Sequence, residues 1–281
     1  MLGVGAAALI YWRGSRTPLR VVSGRSAVLR GRRLRAAAFG AGLFTILVAL
    51  VGPVDDASVH YFWVHMTQHL LLVMVAAPLL VLGAPWLAPW RLLGHSTRVR
   101  LTRRIGHSPG WAAPRRAWRW LVTPVAAWVI FNINLLAWHL PALYNLTLRN
   151  ATVHYTEHVL LLLTGVLFWA QVIDSPPLAR RLEQPQRAAY LTLAAVAGWL
   201  LALAIVLPAT PIYSAYAAQH VGSGGMSALT DQQLAAGMMW VPGSIPYNIG
   251  VFYALYRWLD ERTSTPRLFA VSARMREGST P

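Results

Sequence analysis

Residues 60–82 run for 23 positions without one Asp, Glu, Lys or Arg. As a helix this stretch would rise about 35 Å, enough to cross the roughly 30 Å hydrocarbon core of a bilayer. In water it would have no polar face to offer. The chain therefore has to place this segment in lipid or wrap it entirely in protein. Near its start stands His65-Met66-Thr67-Gln68-His69-Leu70-Leu71-Leu72, and Gly83-Ala84-Pro85 follows its end. Two imidazoles four positions apart share one helix face.

The same pattern recurs. Apolar runs at 36–51, 121–138, 154–173, 188–207 and 231–257 each predict a spanning helix. Gly52-Pro53 should end the first of these, and Pro78 should bend the helix of 60–82 in its second half. Pro242-Gly243 and Pro246 should interrupt the last run. Residues 1–12 are apolar but too short to cross, and read either as the remainder of a truncated first span or as a shallow, partly inserted helix. Charged residues make up only 12% of the chain, half the roughly 25% of a soluble domain. The expected fold is all-α: a polytopic transmembrane helical bundle with six clear spans plus a short N-terminal seventh. It forms a single integral-membrane domain over 1–281, with 258–281 as a flexible cytoplasmic tail.

The net charge of +16 would suit nucleic acid if it formed a patch. It does not. Every basic residue is Arg, and the arginines sit in the connections 13–35, 91–119, 174–187 and the C-terminal tail. The connections 53–60, 139–153 and 209–234 hold only Arg149. The two sets alternate, as topology determinants do. The positive-inside rule then places the C-terminus in the cytoplasm and the N-terminus outside. Segment 91–119 is long enough for an amphipathic helix on the membrane surface. Cysteine is absent, which removes disulfides, thiolate metal sites and thiol chemistry.

This topology sorts the histidines. Only His95 and His107 fall in a cytoplasmic connection; His60, His65, His69, His139, His154, His158 and His220 map to the outer side. Nine randomly placed histidines would give about 0.3 pairs at i, i+4 by chance. Two are present, His65/His69 and His154/His158. Each pair spaces its imidazoles about 6 Å apart along one face, and both begin at the same depth. Facing one another, they could offer four nitrogen ligands to one ion or two. His60, His139 and His220 read more simply as interfacial hydrogen-bonding residues.

His139 and other groups in this layer could nonetheless support or extend such a site. Glu157 is the acid lying deepest in an apolar segment and could orient an imidazole. Asp231 could cap its own helix, bind the ion, or accept a hydrogen bond from a ligand histidine. Met66 and Met239 are apolar filler unless the ion is cuprous, for which thioether and imidazole are the preferred partners when Cys is missing. Zinc is the second candidate. Haem is disfavoured because two histidines on one face compete for one axial position. The order His154-Xaa-Xaa-Glu157-His158 superficially matches an inverted zinc-protease motif with Glu157 as base. The glutamate precedes the second histidine inside an apolar span, and an enzyme is not expected.

These residues are similar to the signature of the multispanning CtaG family of cytochrome c oxidase assembly factors. The resemblance rests on three ordered blocks. The first is His65 to Leu72 with Ala77-Pro78-Leu79-Leu80 and Leu82-Gly83-Ala84-Pro85. The second is Trp138-His139-Leu140-Pro141-Ala142-Leu143-Tyr144 with His154, Glu157-His158, Gly165 and Phe168-Trp169. The third is Asp231-Gln232-Gln233 with Gly237, Met239-Trp240 and Pro242-Gly243. The resemblance runs from about Arg13 to Arg257. The single-span copper carrier that shares the name uses cysteines and is a different protein.

The resemblance implies a multi-pass protein of the bacterial plasma membrane, required to mature a haem–copper oxidase of the caa type. Its partners would be oxidase subunits, a periplasmic copper carrier and the lipid bilayer, and not nucleic acid. The expected chemistry is ligand exchange: copper bound on the outer face by His65, His69, His154 and His158 and passed to the oxidase. The alternatives are a haem-binding membrane protein and a metal-free scaffold for oxidase subunits.

Overall fold

The computed structural model describes residues 2–16, 25–175, 181–219 and 225–277. Among these residues all regular structure is helical. In chain order the helices are α1 (Leu2–Arg16), α2 (Arg25–Leu50), α3 (Pro53–Ser58), α4 (Phe62–Leu70), a π-helical segment Leu71–Ala76, α5 (Ala77–Gly83), α6 (Leu87–Leu92) and α7 (His95–His107). Then come α8 (Ala112–Leu121), α9 (Pro124–Trp138), α10 (Pro141–Arg149), α11 (Ala151–Trp169), α12 (Gln184–Val206), α13 (Ser214–Gln219) and α14 (Ala228–Glu277). His220 lies outside the described residues.

Four tracts are long and apolar enough to cross a membrane: Gly31–Leu50, Phe62–Leu92, Ala151–Trp169 and Gln184–Val206. A fifth is added if Pro109–Leu121 and Pro124–Trp138, bent by 75°, count as one span. The expected span 231–257 lies in α14, which has ample length at 50 residues. It is not among the four, because Asp231, Gln232, Gln233, Ser244 and Asn248 dilute its apolar content. Helix α1 has 15 residues and reaches only about 22 Å. Val125, Leu163, Leu200, Val241 and Phe252 point outward from the bundle. Such an apolar exterior belongs in lipid, where helices satisfy their own backbone.

One expected break is absent. Helix α14 runs unbroken through Pro242, Gly243 and Pro246, where an interruption was expected. Each proline removes one backbone hydrogen bond, but α14 lies along α12 for much of its length, and the Trp199 indole N–H donates to Ser244 Oγ at 2.5 Å across that seam. Pro78 is accommodated by the π-helical segment Leu71–Ala76 directly before it. A π turn widens the helix locally and frees the geometry a proline needs.

Small residues bring the helices together, as expected where lipid supplies no hydrophobic drive between helices. A Cβ on Gly83 would lie 2.7 Å from Phe39 Cβ, so α5 and α2 touch there through backbone. A Cβ on Gly165 of α11 would lie 3.3 Å from Ala77 Cβ of α5 and 3.6 Å from Val73 of the π-helical segment. The main core gathers Val73, Phe131, Leu161, Phe168, Trp169, Leu191 and Tyr247. A second core, around Phe62, Met66, Tyr144, Tyr213 and Tyr216, lies against the histidine layer.

Candidate metal centre

Helix α4 starts at Phe62 after the extended residue Tyr61, and Tyr61 gives it no side-chain cap. The cap comes from α14 instead. Asp231 Oδ2 accepts the Phe62 N–H at 2.8 Å, and its Oδ1 accepts the Trp63 N–H at 2.9 Å. A carboxylate at a helix N-terminus satisfies orphan amides and complements the helix dipole. Asp231 is therefore not the cap of its own helix. Ser227 fills that role, its Oγ accepting the Thr230 N–H at 3.1 Å. Asp231 fixes the helix end from which His65 and His69 project.

Helix α11 brings the second pair. Asn150 caps it, its Oδ1 accepting the Thr152 N–H at 2.9 Å and the Val153 N–H at 3.3 Å. His154 and His158 follow one turn apart, with ring centroids 4.4 Å from each other. The two pairs meet: His65 is 4.9 Å from His154 and 5.6 Å from His158, and His69 is 5.4 Å from His158, centroid to centroid. Glu157 enters between them. Its Oε2 lies 3.4 Å from His65 Nε2 and its Oε1 3.4 Å from His69 Nε2. His65, His69, His139, His154, Glu157 and His158 are all buried.

One donor atom from each of His65, His154, Glu157 and His158 falls within 4.8 Å of the others. His69 stands beside this group, its Nε2 2.9 Å from His65 Nε2. Polar atoms in the cluster lack hydrogen-bond partners: both Glu157 oxygens, both His158 nitrogens, His154 Nε2 and His69 Nδ1. A single buried orphan costs about 1–3 kcal/mol, so several in one spot need a common remedy. Three imidazoles and a carboxylate around one point are a donor set that a borderline transition metal accepts, and the residues fit such an ion.

Tyrosines that composition and spacing did not single out orient this set. Tyr216 donates its proton to Ser58 O at 2.6 Å, so its oxygen is the acceptor for His65 Nδ1 at 3.4 Å. That assigns the His65 proton to Nδ1 and turns the Nε2 lone pair toward the cluster. Tyr213 donates to the His139 carbonyl at 2.9 Å. The signal was weak, because Tyr213 and Tyr216 fall within or beside the short helix α13, in a stretch whose Gly and Ser content reads as loop.

His139 and Met66 sit to one side of the cluster. His139 Nδ1 donates to Leu135 O at 2.8 Å, and its Nε2 faces Met66 Sδ at 3.3 Å. Met239 lines a cavity with Met66, His69 and His139.

Among known proteins, the chain is 24% identical over 203 residues to an uncharacterized protein of Mycobacterium bovis and equally to one of Mycobacterium tuberculosis. The match covers 70% of this chain but only 30% of each relative, so the chain spans less than a third of the length of these curated relatives. No solved structure matches it. A family model described as cytochrome c oxidase caa3 assembly factor matches residues 9–261, nearly the whole chain, and the protein belongs to this Caa3_CtaG family.

Proposed function

We propose that this protein binds copper in the cluster of His65, His154, Glu157 and His158, with His69 alongside, and passes it to a haem–copper oxidase during assembly. The observation that carries the reading is the convergence of four ligand atoms within 4.8 Å, with both Glu157 oxygens and both His158 nitrogens unpartnered. Family membership supports the destination. Copper is cargo here, and the reaction is ligand exchange. Zinc suits imidazole and carboxylate equally and is the competing ion. Rings packed at 4.4–5.6 Å leave no slot for a flat porphyrin between them, which argues for an ion over haem.

The proposed setting is the bacterial plasma membrane. Six crossings with alternating arginine-rich connections would put the cluster on the extracytoplasmic side, where an oxidase subunit or a copper carrier could reach it. The test is metal analysis of the full chain purified with and without added copper. About one tightly held copper per chain is expected, lost in a His154→Ala/His158→Ala variant. Equal, sub-stoichiometric metal in wild type and that variant would leave a metal-free scaffold as the function. A Soret band on the purified protein would favour haem instead.

A further inference from the structure

Beside the cluster lies a cavity of about 40 Å³ bordered by Met66, His69, Met74, His139 and Met239. Its polar contacts are unusual. His139 Nε2 and Met66 Sδ are 3.3 Å apart, a distance that would suit an N–H donating to sulfur. But His139 already gives a proton from Nδ1 to the Leu135 carbonyl at 2.8 Å, and a carbonyl can only accept. A neutral imidazole has one N–H, so Nε2 presents a lone pair to the sulfur lone pairs. Two buried acceptors face each other with no proton between them.

The third wall supplies another acceptor. Since His65 keeps its proton on Nδ1 toward Tyr216, the 2.9 Å contact between His65 Nε2 and His69 Nε2 requires the shared proton to come from His69. His69 Nδ1 is then bare. It is buried without a hydrogen-bond partner, on a side chain only 4% exposed that borders this same cavity. Met66, His139 and His69, which carry this thioether and these two ring nitrogens, all line one apolar pocket.

We infer that Met66 Sδ, His139 Nε2 and His69 Nδ1 form a second, softer metal site, suited to a monovalent d10 cation such as Cu(I) or Ag(I). Thioether and imidazole donors without a carboxylate select such ions over divalent ones. The carboxylate of the first cluster favours harder or borderline ions. His69 sets Nε2 beside Glu157 of the first cluster and lines the second cavity, so an ion leaving the carboxylate cluster could be taken up next door. Met74 and Met239 on the cavity wall extend the soft surface. The inference deepens the proposed copper reading, yet the second site stands on its own donors.

The two sites are separable by metal choice. The full chain, purified in detergent, is titrated with Ag(I) and independently with Co(II), and bound metal is counted after dialysis. Met66→Leu conserves volume in the core. It is expected to lose one silver per chain and to keep its cobalt. Glu157→Gln is expected to lose cobalt and keep the Met66-dependent silver. X-ray absorption at the silver edge should show a sulfur neighbour in wild type and none in Met66→Leu; the wild-type spectrum does not depend on how the variant folds. Unchanged silver binding in Met66→Leu, or no sulfur neighbour in wild type, would overturn the second site while leaving the first intact. Met66-dependent silver without any cobalt in wild type would sustain the second site and sink the first.

Discussion

Asp231 and Phe62 are 169 positions apart, yet the carboxylate of one holds the backbone N–H of the other at 2.8 Å. The bond ties α14 to the first turn of α4, one turn before His65. Asp231→Ala removes both acceptors and leaves the Phe62 and Trp63 amides buried. A lost cap of this kind costs about 0.5–2 kcal/mol, and the loss should show as a lower unfolding midpoint in detergent. Asp231→Asn keeps an acceptor oxygen and should recover most of the stability. Metal affinity should fall with Asp231→Ala, because the residue holds His65 and His69 in place.

Glu157→Gln tests the charge in the cluster without changing its size. Stability of the metal-free protein should hold or rise, since a buried carboxylate whose oxygens lack hydrogen-bond partners is costly. Copper or cobalt affinity should drop by well over tenfold, because the site then has only neutral donors. Competition with a chelator of known affinity reads both numbers.

Tyr216→Phe should separate orientation from ligation. It deletes the acceptor for His65 Nδ1 and leaves the Ser58 carbonyl without its 2.6 Å partner. An orphaned buried carbonyl costs about 1–3 kcal/mol, and loss of a group that orients a metal-binding histidine costs about 10–100-fold in affinity. Metal titration and thermal unfolding should therefore both respond. A fall in stability with unchanged affinity would mean that Tyr216 does not orient His65.

Gly83→Val tests the contact that seats the histidine-bearing tract against α2. Even a Cβ there would meet Phe39 Cβ at 2.7 Å and its backbone at about 3.0 Å. Overpacking of this sort costs about 1–3 kcal/mol. The protein should unfold at lower temperature, with metal affinity much less affected because the cluster lies at the other end of the tract.

How much of this was legible from sequence depended on the distance between partners along the chain. The pairs His65/His69 and His154/His158 could be read because helical periodicity turns a spacing of four into a shared face. Their meeting followed from equal depth in two predicted spans. Glu157 could be placed in the layer but not in the group of four, since its side chain passes between helices in a way that no spacing encodes. The Asp231 cap was invisible for the same reason: capping rules look a few residues along the chain, and its amides are 169 and 168 positions away. Helix α13 hid Tyr216 behind loop-like neighbours. The unbroken course of α14 through Pro242 and Pro246 depends on packing against α12, which local propensity does not contain.

The π-helical segment Leu71–Ala76 has one more consequence. An extra residue in a turn shifts the phase of everything downstream by roughly 100°. Without it, the face carrying His65 and His69 would continue straight into the face carrying Gly83. With it, the two ends of the tract are indexed independently. One end can aim its imidazoles at α11 while the other turns Gly83 to Phe39 on α2. Deleting one residue from 71–76 would leave composition and hydropathy nearly untouched and still set donors and packing surface out of register.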